Sequence, residues 1–292
     1  MLDETVYRQM AALVTAKHLQ SSLGPTFTVG STLEDASIEL QEAFYEGLDP
    51  LSVSLVVEAS EPIGWIEWAM WDEHDYTDDD DPGDVREWMR PVKVSQLAGG
   101  NVPFFQLVEL FGHTKEQFFF VLDGREITGT VGYGDLFKLP GVCCLFVLVL
   151  ELETAALRLC CRFFRQCWSS LPKNRQILAM GVWQKRYGRA YLRNSNYDDG
   201  VSFDRVITQF LDCTCLIDKS TMIRKCGLQF QSSNTQVARI FKRAERLRNW
   251  CAHPSDEDEF APILSRDELA QFVRDCHVMI DDLVTVTPEP ER

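Results

Sequence analysis

Arg248, Asn249 and His253 fall within six residues of one another, in the stretch Arg248-Asn249-Trp250-Cys251-Ala252-His253-Pro254. Their types suit chemistry at an anion. A histidine, with an unperturbed pKa of about 6.5, can take a proton at neutral pH. An arginine offers fork-shaped donors that match a phosphate. On a continuous helix, residues five apart are separated by about 500° and do not share a face. Pro254, however, pushes His253 away from helical backbone geometry, so the helix should end near Cys251 and let the histidine approach Arg248. The same residues also fit a helix-end cation facing the macrodipole and a surface histidine. A Cys251/His253 pair is conceivable, but Cys251 lies in the apolar seam of the helix, where a thiol reads as core.

The elements that must position these residues are helices. Val237, Ile240, Ala244, Leu247 and Cys251 form an apolar stripe, with Arg239, Lys242, Arg243 and Arg246 as a basic stripe beside it. From Val142 onward Leu145, Leu148, Leu152, Ala155 and Leu159 keep helical spacing, predicting a helix to about Cys167. Glu151 and Glu153 interrupt that apolar run. A carboxylate there is costly to bury unless paired, so at least one should meet a basic partner or a site. Further helices are predicted over Lys173–Tyr191 (Ile177, Leu178, Val182 and Trp183 apolar), Ser202–Ile217, around Thr221–Lys225, Thr235–Ala252 and Ser265–Leu283. Ser265 and Glu268 form a capping box for the last. Residues 142–292 therefore read as an all-α bundle.

Charge separates this half from the other. Residues 1–142 carry 25 acidic and 8 basic side chains, whereas the remainder carries 19 and 21, within a chain of net charge −15. A basic footprint of 18 bases against 6 acids over 158–248 suits nucleic acid, as the whole-chain balance does not. No apolar stretch approaches the roughly 20 residues that span a bilayer, and the start lacks a basic secretory region. The expectation is a soluble, cytoplasmic chain without membrane contact. The ten cysteines, all at or after Cys143, sit mostly in helical patterns and read as reduced core. No paired CxxC motif exists, and no metal is expected.

The acidic half reads as a repeat of about sixty residues. A strand at Thr26–Val29, a helix capped by Ser31 and Glu34 with Leu33, Ile38, Leu40 and Phe44 apolar, and strands at Ser52–Val57 and Ile63–Ile66 form one copy. Pro91–Val94, a helix over Val102–Phe111, strands at Gln117–Leu122 and Ile127–Val131 and a helix opening at Gly134–Phe137 form the other. The copies cover about 25–72 and 88–140, and an acidic linker over 73–87 contains Asp78-Asp79-Asp80-Asp81, which must stay solvated. The fold class is α+β in two domains, 1–141 and 142–292.

The acidic half resembles a tandem pair of CBS domains over roughly residues 25–140. The matches are Val56-Val57 with Pro62-Ile63-Gly64, and Phe120 to Gly124 with Gly129-Thr130-Val131 through Asp135-Leu136. The resemblance implies a pseudo-symmetric βαββα pair with an adenine nucleotide as possible regulator in the cleft between copies. In that family a Ser/Thr, with an Asp three residues on, holds phosphate and ribose. Asp135 stands at the Asp position and Gly132 at the hydroxyl position, while the first copy has Glu67 and Met70. A structural or dimerising pair is the other reading.

Arg248 to His253 resembles the R-x4-6-H motif of HEPN domains, including the polar Asn249 after the arginine. Val142 to Phe146 with Glu153 is similar to the first helix of that class, so the HEPN-like region covers roughly 142–285. The resemblance implies a metal-independent endoribonuclease without cofactor. Arg248 and His253 would be the catalytic pair, Asn249 would orient them and Glu153 would support them. Arg239, Lys242, Arg243 and Arg246 would track RNA. A homodimer would bring two motifs to one cleft, and a role as toxin or anti-phage effector would add a cognate antitoxin to the partners. The alternative is a non-catalytic module that senses a nucleotide or binds RNA or protein.

Overall fold

The computed structural model describes residues 9, 12–45, 53–67, 83–188, 203–252 and 264–286. The chain divides into two compact units, 11–141 and 142–292 with 1–10.

In the strand unit, hydrogen bonding makes the internal duplication explicit. Strand β1 (Phe27–Thr28) leads through helix α2 (Leu33–Tyr45) to the hairpin β2 (Val53–Glu58) and β3 (Glu61–Glu67). A short helix α1 (Ala16–Leu19) precedes them. Helix α3 (Val85–Trp88) and strand β4 (Arg90–Pro91) follow, and then β5 (Leu97–Gly99), α4 (Phe104–His113) and the hairpin β6 (Phe118–Asp123) and β7 (Glu126–Gly132). In each copy the first strand is parallel to the second and the second antiparallel to the third: Phe27 faces Val56, and Leu97 faces Phe120. The hairpins break register at Val56/Val57 and at Val121/Leu122, equivalent points of the repeat. Four consecutive residues are buried in both β2 and β6, because each strand is covered on both faces. The tight turns take positive φ: 50° at Ala59 and 72° at Ser60 in one, 65° at Gly124 in the other.

Each copy is completed by a segment that precedes or follows it in sequence. β4 pairs with β3 of the first copy, Arg90 opposite Trp65. Ser21, just after α1, exchanges two backbone bonds with Thr130 of β7. The expected strand Pro91–Val94 is thus corrected: Arg90–Pro91 closes the first sheet, and Leu97–Gly99 opens the second. Proline lacks the N–H that a central ladder needs, so it sits at a sheet edge. The two crossings also explain two glycines. A Cβ on Gly64 would lie 2.6 Å from the Met89 Sδ and 3.0 Å from the Arg90 carbonyl oxygen; one on Gly129 would lie 2.6 Å from the Ser21 carbonyl oxygen. Side-chain room is absent where the chain passes over β3 and β7.

The first copy packs Phe27, Leu33, Ala36, Leu40, Val56, Ile66 and Val85 together. The opposite sheet faces meet through Val53, Leu55, Trp65, Phe118 and Phe120, with Trp65 edge-on to Phe118 at 5.0 Å. Burying each large ring contributes on the order of 2–3 kcal/mol, so this aromatic layer ties the copies together. Ile38 and Phe44, expected inward, are exposed, because α2 turns its Leu33–Ala36–Leu40 face to the core. Its cap is Thr32, which accepts from the Asp35 N–H, rather than Ser31. Of the expected acidic linker, residues 83–87 are described; they lead into α3, and the Asp78–Asp81 run lies outside the described residues.

In the helical unit, α5 (Leu139–Arg162) buries Leu145, Leu148, Val149, Leu152, Ala155, Ala156 and Leu159 at helical spacing. It breaks at Phe163, where φ is −114° and ψ is 40°, and α6 (Phe164–Ser170) continues. Helix α7 (Lys173–Trp183) passes into a π turn over Gln184–Gly188. Helices α8 (Phe203–Leu211), α9 (Leu216–Lys225), α10 (Asn234–Ala252) and α11 (Arg266–Thr285) follow. The expected helix Ser202–Ile217 is two helices, since Thr214 bonds back to the Leu211 carbonyl and closes the first. Ser265 caps α11 as expected, with Glu268 returning a bond to the Ser265 N–H at 3.0 Å. On α7 the apolar positions Ile177, Leu178 and Val182 are exposed and Ala179 is buried. No helix among the described residues is long and apolar enough to cross a membrane.

Candidate functional site

The polar centre of the helical unit is Glu153. It lies on α5, one turn from the buried Ala156, and its carboxylate bridges two helices. The Arg248 Nη1 of α10 donates to Oε2 at 3.1 Å, and the Lys219 Nζ of α9 donates to Oε1 at 3.2 Å. Arg248 flanks the apolar seam Val237–Ile240–Ala244–Leu247, which buries its neighbour Leu247 and leaves Arg248 28% exposed. The charge inside an apolar run is thus paired, as burial requires.

Lys219 is 2% exposed and also donates to the Thr214 carbonyl at 2.9 Å. Its helix is fixed at the N-terminal end. Arg175 of α7 makes two bonds of 2.8 Å to the Asp218 carboxylate, which also accepts from the Cys215 N–H. Burial alone pushes the Asp218 carboxyl up, but the Arg175 fork and Cys215 outweigh it and hold the carboxyl below the usual range. Asp212 lies in the same electrostatic neighbourhood. Desolvation raises its pKa and the Glu153 charge adds to the rise, while Lys219 and Arg186 oppose it. Sequence reasoning missed Lys219, because a lysine in a helix reads as surface.

Asn249 is exposed near the end of α10, and His253 and Pro254 lie outside the described residues. Of the catalytic candidates, Arg248 and Glu153 are therefore brought together and Asn249 sits one residue beyond. Cys251 is half-buried, and burial, with a contribution from Cys143, pushes its thiol up to about 12. A thiol raised in this way is a poorer nucleophile, in keeping with a cysteine in the apolar seam. In the basic stripe, Arg239 pairs with Asp275 at 3.0 Å and Arg243 with Glu268 at 3.4 Å, both on α11. Lys242 and Arg246 are exposed.

In the strand unit, Asp135 is held from within. It accepts from the Gly132 N–H at 2.6 Å and the Ser21 hydroxyl at 3.1 Å, and pairs with Lys138 at 2.8 Å. Lys138 also donates to the Leu19 carbonyl and the Ser21 hydroxyl, both at 2.9 Å. The group thereby fastens the segment after α1 to the second copy. Glu67 in the first copy pairs instead with Arg90 at 3.3 Å, and the Arg90 guanidinium lies 5.2 Å from the Trp65 ring centre. Beside that pair is a cavity of about 230 Å³ lined by Trp65, Arg90, Lys93, Lys115 and Phe118, among others. It gathers three cations, the Glu116 carboxylate and two largely buried aromatic rings, which the sequence scatters from residue 65 to residue 118. Among the described residues no group of three or more His, Cys, Asp or Glu could hold a metal ion.

No family model and no curated protein matches the chain. Among solved structures, a putative signal-transduction protein with CBS domains from Burkholderia ambifaria is 18% identical with a TM-score of 0.31, covering 44% of this chain and 89% of its own. Protein MJ1004 from Methanocaldococcus jannaschii is 14% identical with a TM-score of 0.37, covering 72% of this chain and 99% of its own. At these TM-scores neither likeness decides anything about this chain, whose duplicated strand frame stands on its own hydrogen bonds.

Proposed function

We propose that this chain is a ligand-controlled effector in which the helical unit is a metal-independent endoribonuclease and the strand unit regulates or dimerises it. The observation that carries the reading is the Arg248–Glu153 pair, 3.1 Å across α10 and α5. That bond uses one of the five guanidinium donors, so the arginine is oriented with donors to spare for a phosphate. His253 takes the proton of a ribose 2′-OH. The 2′-oxygen bonds to the adjacent phosphorus as the bond from phosphorus to the 5′-oxygen breaks, the leaving oxygen takes a proton from water, and His253 returns its proton to solvent. The products are a 2′,3′-cyclic phosphate and a 5′-hydroxyl. Arg248 stabilises the charge gathering on the phosphate. Lys242 and Arg246 contact the RNA backbone, where each phosphate contact steepens the salt dependence. The HEPN-like motif supports a role as toxin or anti-phage effector, acting as a homodimer in the cytoplasm. Incubating the protein with total RNA beside Arg248→Ala and His253→Ala tests it. Cleavage lost in both variants is expected; equal cleavage in all three, or none in any, sinks the assignment.

The second reading, a nucleotide-sensing module, has its own support in the strand unit. Lys93 and Lys115 at the cavity beside Trp65 suit a phosphate group, with Arg90 already paired to Glu67 and Glu116 also in the lining, whereas Asp135 is occupied by its own bonds to Gly132, Ser21 and Lys138. Calorimetry with AMP, ADP and ATP should give heat that Lys93→Ala or Lys115→Ala removes and Asp135→Ala leaves. No heat with any nucleotide overturns it.

A further inference from the structure

We propose that Lys219 is a positioning residue that holds Glu153, and through it the Arg248 guanidinium, in register for phosphate; this rests on the endoribonuclease reading above. A lysine ammonium taken out of water costs several kcal/mol unless well paired, and a methionine of similar length would avoid that cost. Lys219 is nevertheless 2% exposed, and both bonds found for it point to the same place: the Thr214 carbonyl at 2.9 Å and Glu153 Oε1 at 3.2 Å. The first fixes the ammonium to the entry of α9, which the two Arg175–Asp218 bonds fix in turn. The second fixes one oxygen of a carboxylate that is itself 23% exposed and would otherwise be able to rotate towards water. With Oε1 anchored, Oε2 is aimed at Arg248.

The charges also matter. Glu153 and Arg248 alone would be neutral, and Asp212 adds a second carboxylate that the Lys219 charge offsets. Lys219 thus supplies the rigidity of the pair and keeps Asp212 from making the cluster net negative.

The test combines RNA cleavage kinetics with nitrogen-15 NMR of arginine-labelled full-length protein. In the wild type the Arg248 guanidinium should rotate slowly and give separate Nη–H signals. In Lys219→Met those signals should average, while kcat falls about 10- to 100-fold and KM stays within about threefold, as expected for lost orientation. Glu153→Gln should show the same loss. The double variant Lys219→Met/Glu153→Gln should be no worse than Glu153→Gln, because the two act in series; it also leaves no buried ammonium unpaired, so it decides the matter if the single variant does not fold. Held Arg248 signals in Lys219→Met or in the double variant, or additive losses of kcat, overturn the proposal. If the wild type cleaves no RNA, the endoribonuclease reading fails while the Arg248 signals still decide the positioning role.

Discussion

Glu153 in the helical unit and Asp135 in the strand unit are each held by a lysine, and the two lysines live in different solvents. Lys219 is 2% exposed, whereas Lys138 is 42% exposed. Asp135 is the better satisfied carboxylate, with a backbone N–H, a hydroxyl and an ammonium around it. Glu153 has only cations, two of them, from two helices. Water can replace much of what Lys138 does; for Lys219, shut off from water, the Thr214 carbonyl remains but the bonded carboxylate is Glu153. The strand-unit cluster therefore fastens one segment, and the helical-unit cluster holds an electrostatic strain that only its own geometry relieves. This contrast predicts unequal responses to equivalent substitutions.

The largest response should come from Glu153→Ala. Removing one partner of a buried pair leaves an uncompensated charge and typically costs about 3–5 kcal/mol. Hydrogen exchange should show the helical unit losing about 3 kcal/mol and the strand unit unchanged. Lys219→Met/Glu153→Gln should restore most of it. A loss below about 1 kcal/mol in Glu153→Ala would falsify the buried-pair account.

Next is Asp218→Asn, which keeps the shape but loses the charge beneath Arg175. Charge-assisted bonds to arginine are worth about 1.5–3 kcal/mol, and Asp218 is 7% exposed, so a loss of about 2 kcal/mol at neutral pH is expected. The sign with pH follows from the lowered carboxyl. Its contribution is present above the unfolded value of about 3.9 and disappears as pH falls through the lower folded value. Wild type and Asp218→Asn should thus converge in acid. A gap that persists at pH 2 would show that the loss is packing rather than charge.

How much of this was legible beforehand depends on how local the cause is. The hairpins announce themselves through β-branched and aromatic runs either side of tight turns, and Ser265 with Glu268 marks the start of α11 from four residues. Glu153 stands out because it interrupts an apolar stripe. Lys219 does not, since its burial depends on Glu153, 66 residues away. Ile177, Leu178 and Val182 look like core because hydrophobicity alone does not say which face has a neighbour. The strand misplaced at Pro91–Val94 fails for a similar reason: Val92 and Val94 alternate well, but the pairing of Arg90 with Trp65 belongs to the copy before. Ser21 and Asp135, 114 residues apart, could not have been joined from sequence.

Gly129→Ala and Gly64→Ala then compare the two copies at one equivalent point. The new methyl at 129 meets a backbone oxygen at 2.6 Å, whereas at 64 its nearest contact is the flexible end of Met89. Overpacking costs about 1–3 kcal/mol, so Gly129→Ala should lose about 2 kcal/mol and Gly64→Ala about 1 kcal/mol. Equal losses would mean that both crossings yield alike.

Asp135→Asn should have the smallest effect, and it completes the contrast with Glu153. An asparagine retains one acceptor for the Gly132 N–H and can still meet Ser21, so the backbone bond survives. What is lost is the charge facing Lys138, an ammonium open enough to water for solvent to screen much of the pair. Its other two bonds, to Leu19 and Ser21, keep it in place. A loss of about 0.5–1 kcal/mol is expected, confined in hydrogen exchange to the amides of residues 16–21 and 129–132. Lys138→Met in the same background should cost more, because it also removes the bonds to Leu19 and Ser21. If Asp135→Asn instead cost as much as Glu153→Ala, exposure would not be what separates the two lysines.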